Sequence, residues 1–203
     1  MTRRVVVGIS GASGAALGLR IVELLAGTGT VETHLVVSAA AEATLAHEVG
    51  PEAAEALRRS AAVVHPIGAI GASIASGSFQ TAGMIVAPCS MRTLGAIAMS
   101  LSDNLLVRAA DVHLKERRRL VLLARETPLH LGHLRTMVAV TEMGAIVAPP
   151  VPGFYRRPQT VDEIVDATAT RAIDLLELGI DLDSKRWTGL DRQGKPAPVD
   201  SVD

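Results

Sequence analysis

Hydroxyls, cations and carboxylates gather in a few short segments of this chain, most of them just beyond an apolar run. The first is Val5-Val6-Val7-Gly8-Ile9-Ser10-Gly11-Ala12-Ser13-Gly14, a β-branched run entering a Gly/Ser-rich turn, with a helix-compatible segment from Ala15 to Ala26 behind it. Unpaired N–H groups at a helix start attract anions, so this turn is expected to take a cofactor phosphate. The glycines fall at 8, 11 and 14, which departs from the G-x-G-x-x-G of dinucleotide folds, and a tight turn without a ligand is the plainer alternative. Ser38 follows a second apolar run and could cap a helix from Ala39, which by itself would explain it. Glu48 lies near the end of that helix, where the dipole disfavours a carboxylate, and an exposed helix-end residue is its simplest reading. Pro88-Cys89-Ser90-Met91-Arg92-Thr93 offers two hydroxyls and a guanidinium at another helix start, suited to a second anion or a polar ring edge, or to an ordinary N-cap beside a solvated arginine. Cys89 fits a small buried hydrophobe better than a nucleophile.

A charged run follows, with Arg108, Asp111, Lys115, Glu116, Arg117, Arg118 and Arg119, and such runs are usually solvated helix faces. Arg108, Asp111 and Lys115 are spaced i, i+3, i+7 and share one face. Arg125-Glu126-Thr127-Pro128 sits just past an apolar run, where an ion pair would serve a site. His130 and His133 are three apart on an expected helix; with no third ligand nearby they read as ordinary surface or core histidines rather than a metal site. Tyr155, Arg156, Arg157, Arg171, Lys185, Arg186 and Trp187 supply late cations and rings that loop and helix surface would also account for.

Positioning these groups falls to six β-type runs, Val5–Ile9, His34–Val37, Val63–Ile67, Met84–Ala87, Leu120–Ala124 and Ile146–Ala148, most of them separated by segments of helical period. Near-continuous apolar strands alternating with helices predict a parallel sheet covered on both faces. In such sheets ligands collect beyond the carboxyl ends of the strands, which is where several of the polar clusters fall. A last helix is expected from Thr160 through Leu178, and the tail from Asp181 is polar. With 203 residues, 48% of them hydrophobic and 2% aromatic, the chain suits one domain whose core is Ala, Val, Leu and Ile. A net charge of −1 argues against a general nucleic-acid binder, and no apolar run reaches a membrane-spanning length. No signal-type segment is apparent, and a single cysteine leaves neither an intrachain disulfide nor a cysteine zinc cluster, so a reducing cytoplasm is the expected compartment. The residues alone reach an α/β cofactor-binding domain with more cations near strand ends than one phosphate requires; they name no reaction.

Taken in order, GISGASG, SGSF (Ser76–Phe79), PCSMRTL, NLLVRAADVHLKERRRLVLLARETPLHLGHL and GAIVAPPVPGFYRRPQTVDEIVD resemble the UbiX family of flavin prenyltransferases, from about Arg4 to Trp187. The resemblance implies a single flavoprotein domain over residues 1–187, with 188–203 as a polar tail, and a flavodoxin-like or Rossmann-type three-layer fold with a parallel sheet. It implies assembly as a dodecamer with the flavin site at subunit interfaces. It further implies a metal-independent reaction in which reduced FMN and dimethylallyl phosphate give prenylated FMN, bonded at N5 and C6, and phosphate. The product serves UbiD-type decarboxylases. Carried over residue by residue, Gly11, Ala12, Ser13, Ser38, Ser90, Met91, Arg92, Thr93 and Arg125 match FMN contacts. Lys115, Tyr155 and Arg171 match the prenyl-phosphate site, with Arg108 and Glu126 beside it; Glu48 matches the family's acidic active-site residue and Trp187 its closing aromatic. Three other readings are a flavin-dependent cysteinyl decarboxylase, a non-catalytic FMN-binding partner of a decarboxylase, and an aromatic-acid decarboxylase. The prenyl-phosphate set would have no purpose in the first, turnover separates the second, and nothing in the residues supports the third.

Overall fold

The computed structural model describes residues 3–182 and Gly189. Six strands, β1 (Arg3–Ile9), β2 (Val31–Val37), β3 (Val63–His65), β4 (Gly83–Cys89), β5 (Leu120–Ala124) and β6 (Ile146–Val147), form one sheet in the order β3-β2-β1-β4-β5-β6. Every pairing is parallel. All six expected strands are present. β2 starts earlier than the apolar run suggests, because Val31 already pairs with Arg3. β3 stops at His65 rather than Ile67, since Pro66 cannot donate to the ladder.

The strands are buried on both sides, as a two-face cover requires. On one face Val5, Val7, Ile9, Leu35, Ile85, Val121 and Leu123 pack under α1 (Ala15–Gly27), α2 (Ala39–Glu48), α3 (Ala53–Ser60) and α7 (Val161–Asp174). On the other, Val6, Val36, Met84, Val86, Leu120 and Leu122 meet α4 (Met91–Ala98), α5 (Leu105–Lys115) and α6 (Leu131–Glu142). That is the three-layer, doubly wound sandwich expected. Among the described residues no helix is long and apolar enough to cross a membrane.

Helix starts follow the sequence signals. Ser38, Ser90, Asn104 and Thr160 each accept a backbone N–H of their own first turn, at 3.1–3.3 Å. Gly14 opens α1 at φ 101°, a conformation that disfavours a side chain. α7 ends at Asp174, short of the expected Leu178. The chain leaves it through tight turns, with Glu177 at φ 53° and Gly179 at φ 64°, while Leu176 and Leu178 stay buried and prolong the apolar period past the helix. His130 lies outside its expected helix: it caps α6, its ring Nδ1 accepting from the Gly132 N–H at 3.0 Å and its ring stacking on His133 at 3.6 Å.

Candidate active site

In a parallel sheet all strands end on one edge, and this order reverses direction between β1 and β4, the switch point where such sheets take their ligands. The loops beyond that edge are stitched together. The Ser38 N–H donates to the Ile9 carbonyl at 3.0 Å, and the Arg125 N–H to the Cys89 carbonyl at 3.0 Å. Between them Ser10 donates its hydroxyl to the Pro88 carbonyl at 2.9 Å and accepts the Ser90 N–H at 2.7 Å. Ser10 is 2% exposed, and although it lies within the GISGASG segment the sequence gives it no role of its own. Its only signal is a polar residue ending an apolar strand, which a buried tie between two strand ends explains.

Gly11, Ala12, Ser13, Ser38, Ser90, Met91, Arg92, Thr93 and Arg125 all fall on this edge, along loops or helix starts after β1, β2, β4 and β5. A Cβ on Gly11 would collide with that of Ala40, so the first loop and the start of α2 close without a side chain between them. The Arg92 guanidinium pairs with Asp103 at 2.6 Å. Hydroxyls and two guanidiniums with no thiolate suit a phosphate and the polar edge of a ring. Cys89 is buried, and burial pushes its thiol up to about 12, so it is not poised as a nucleophile.

The N–H groups of Gly14 and Ala15, expected to cradle a phosphate, both donate to Glu48 Oε2 at 2.9 Å. The anion these two groups hold at the start of α1 is the protein's own carboxylate. Burial alone raises the Glu48 carboxyl. Hydrogen bonds from Ser13, Ala15 and Gly14, together with the Arg125 charge, outweigh it and hold the group below the ordinary carboxylate range. Glu48 is therefore a fixed, ionised member of the site rather than a loose helix-end residue, and it joins Ser13 to Arg125. The Glu126 carboxylate turns back on its own loop, accepting the Thr127 N–H at 3.0 Å.

The four residues assigned to the prenyl phosphate are not together within one chain. Lys115 ends α5 just before β5 begins, on the edge where the strands start. At about 3.3 Å per residue, the seven residues of β4 put that edge roughly 20 Å from the Ser13–Arg125 cluster. Arg108, two turns earlier on α5, pairs with Asp111 at 2.8 Å and donates to the Ala75 carbonyl at 3.2 Å, while Lys115 pairs with Glu116. Arg171 belongs to α7, on the opposite face of the sheet from α5. It shares with Tyr155 a cleft of about 710 Å³ that Arg20, Arg157, Glu163 and Leu182 also line. Trp187 lies outside the described residues.

Arg118 is a second residue the sequence hides. The charged run looks like solvated surface, yet Arg118 turns inward onto the carbonyls of Gly77 and Phe79, at 2.5 and 2.8 Å.

A family model described as Flavoprotein matches residues 1–172. The chain is 56% identical over 186 residues to the flavin prenyltransferase UbiX of Thauera aromatica, covering 92% of this chain and 94% of that one. Its fold superposes with a TM-score of 0.88 on a crystal structure of AnUbiX in complex with FMN and dimethylallyl pyrophosphate, at 46% identity over 94% of this chain and all of that one. A dodecameric FMN-dependent UbiX-like decarboxylase from Escherichia coli O157:H7 superposes at 0.87, with 44% identity over 92% of this chain and 100% of that one.

Proposed function

The chain belongs to the UbiX family of flavin prenyltransferases, and on that footing we propose that it transfers a dimethylallyl group from dimethylallyl phosphate to N5 and C6 of reduced FMN. The observation that carries this reading is the pairing of a stitched loop platform at the strand ends with a separate cationic arm at Arg108–Lys115.

The platform holds the flavin nucleotide. Ser38, Ser90, Thr93 and Arg92 supply donors for its phosphate and polar edge; Gly11, Ala12 and Met91 lie along the same loops. Bound there, reduced FMN supplies the electron pair that forms the new carbon–nitrogen bond. The Ser13 hydroxyl, hydrogen-bonded to Glu48, would pass a proton leaving N5 or C6 to a carboxylate kept ionised by Ser13, Ala15, Gly14 and Arg125. When the allylic C–O bond breaks, both electrons leave with the phosphate. Lys115, Arg108, Tyr155 and Arg171 take up that charge by charge-assisted hydrogen bonds.

Because α5 and α7 cover opposite faces, and Lys115 lies on the edge away from the platform, one chain cannot close this site. A second copy supplies the Arg108–Lys115 arm. Exposed Leu129, Leu131, Leu134 and Val138 lie on the segment after β5 and along α6, and an apolar patch of this kind favours such an assembly. Assembly as a dodecamer in the cytoplasm, with the product handed to a UbiD-type decarboxylase, completes the proposal.

The deciding experiment is anaerobic incubation with reduced FMN and either dimethylallyl phosphate or the pyrophosphate, followed by mass analysis of the flavin. A gain of one C5H8 unit supports prenyl transfer. Bound but unmodified FMN with both donors refutes it.

A further inference from the structure

The segment Ser76–Phe79 has no role in the site as described, yet it lies directly beneath Lys115. A Cβ built on Gly77 would meet Lys115 Nζ at 2.7 Å and would run into the Glu116 carboxylate. The loop backbone can therefore lie against the Lys115–Glu116 pair only because position 77 has no side chain.

The loop is itself tied down. Arg118 spreads its guanidinium over three acceptors, donating to the Gly77 carbonyl at 2.5 Å, the Phe79 carbonyl at 2.8 Å and the Thr81 hydroxyl at 3.2 Å. The Thr81 hydroxyl is fixed from the other side. His113 Nδ1 lies 2.7 Å from the Ala109 carbonyl, so that nitrogen carries the proton and Nε2 is an acceptor, 2.9 Å from Thr81 Oγ1. Thr81 thus donates to His113 and accepts from Arg118. Both anchors flank Lys115 in sequence, and the Arg118 N–H closes the end of α5 on the His113 carbonyl at 2.8 Å.

We propose that Gly77 and Arg118 are positioning residues for Lys115: Gly77 forms its seat, and Arg118 tethers the loop that carries that seat. The proposal rests on the reading of Lys115 as the prenyl-phosphate arm. A planar fork reaching two carbonyls is a geometry an ammonium cannot copy, so Arg118→Lys should loosen the loop although charge is kept. In Gly77→Ala the groups displaced are the far ends of two flexible side chains, so the fold should survive while the ammonium shifts.

The test uses the intact FMN-loaded oligomer, with dimethylallyl phosphate as the varied substrate. Gly77→Ala is expected to lower kcat/KM roughly tenfold or more, since small misplacements of a positioned group are costly, with FMN affinity and the unfolding midpoint unchanged. Arg118→Lys should act in the same direction. In a Lys115→Ala background the Gly77→Ala effect should disappear, because nothing remains to be positioned. If Lys115→Ala cripples the enzyme but Gly77→Ala keeps full kcat/KM, the seat is refuted while the functional reading stands. If the Gly77→Ala effect persists in the Lys115→Ala background, the glycine acts elsewhere and the proposal falls. If Lys115→Ala itself keeps full kcat/KM, the assignment of Lys115 falls, and the seat with it.

Discussion

The two edges of the sheet are built differently. Where the strands end, the site rests on backbone: Ser10, Ser38 and Arg125 stitch neighbouring loops through main-chain groups, and Glu48 takes two N–H donors at the start of α1. Where the strands begin, it rests on side chains. Lys115 is 44% exposed and its carboxylate partner, Glu116, is its neighbour in sequence. Two turns earlier on α5, Arg108 likewise pairs with Asp111. The first edge is fixed by main-chain bonds; the second carries cations held by local carboxylates, which on the proposed reading exchange them for the substrate phosphate.

That contrast can be broken most sharply at Lys115. Lys115→Ala should cut prenyl transfer about 1,000-fold, as expected for losing a positioned charge on the leaving group, while the protein still purifies with FMN. Loss of flavin from that variant would place Lys115 on the first edge and erase the distinction.

Acid should separate the edges next. Burial, with the Arg118 charge, pushes His113 down to about 4 against the opposing pull of its bond to Ala109. Its folded value lies below the ordinary 6.5, so the unfolded chain binds more protons between the two, and stability is lost as pH falls through that window. The loss amounts to about 3 kcal/mol at most, measured as the pH dependence of denaturant unfolding, and His113→Gln should flatten it. Glu48 is shifted down from 4.5, so its contribution is intact above that value and fades only at lower pH. A wild-type curve flat between pH 6.5 and 4 would contradict the His113 assignment.

On the first edge, Glu48→Gln should slow turnover about 100-fold, the range of a positioned acid or base, with little change in the KM for dimethylallyl phosphate. A rise in that KM with unchanged kcat would instead make Glu48 a binding group.

The gentlest probe asks whether the edges meet between chains. Co-assembling Lys115→Ala with Glu48→Gln subunits should restore about a quarter of wild-type activity, since random mixing leaves that share of sites with both parts intact. No recovery would mean that each site draws both residues from the same chain.

Much of the fold and part of the site are legible in the residues alone. Six apolar runs announce six strands, and hydroxyls at strand ends announce helix starts, because burial on both faces and helix capping are local demands written into residue type. Ser38 is the simplest case: its capping role follows from its own helix start. Glu48 and Arg118 show the limit. Each looks like a surface charge in its own segment, and only the approach of a distant stretch of chain gives it donors or acceptors.

By itself, then, the sequence determined the layers of this protein, the polar edge where the strands end, and through its ordered motifs the family. The tertiary structure alone decided that the carboxylate of Glu48 fills the anion site at α1, and that Lys115 and Arg171 stand apart on opposite faces. The reason is range. Strand burial and capping depend on neighbours a few residues away, whereas a charge reaching across a fold depends on where segments 30 or more residues apart come to rest.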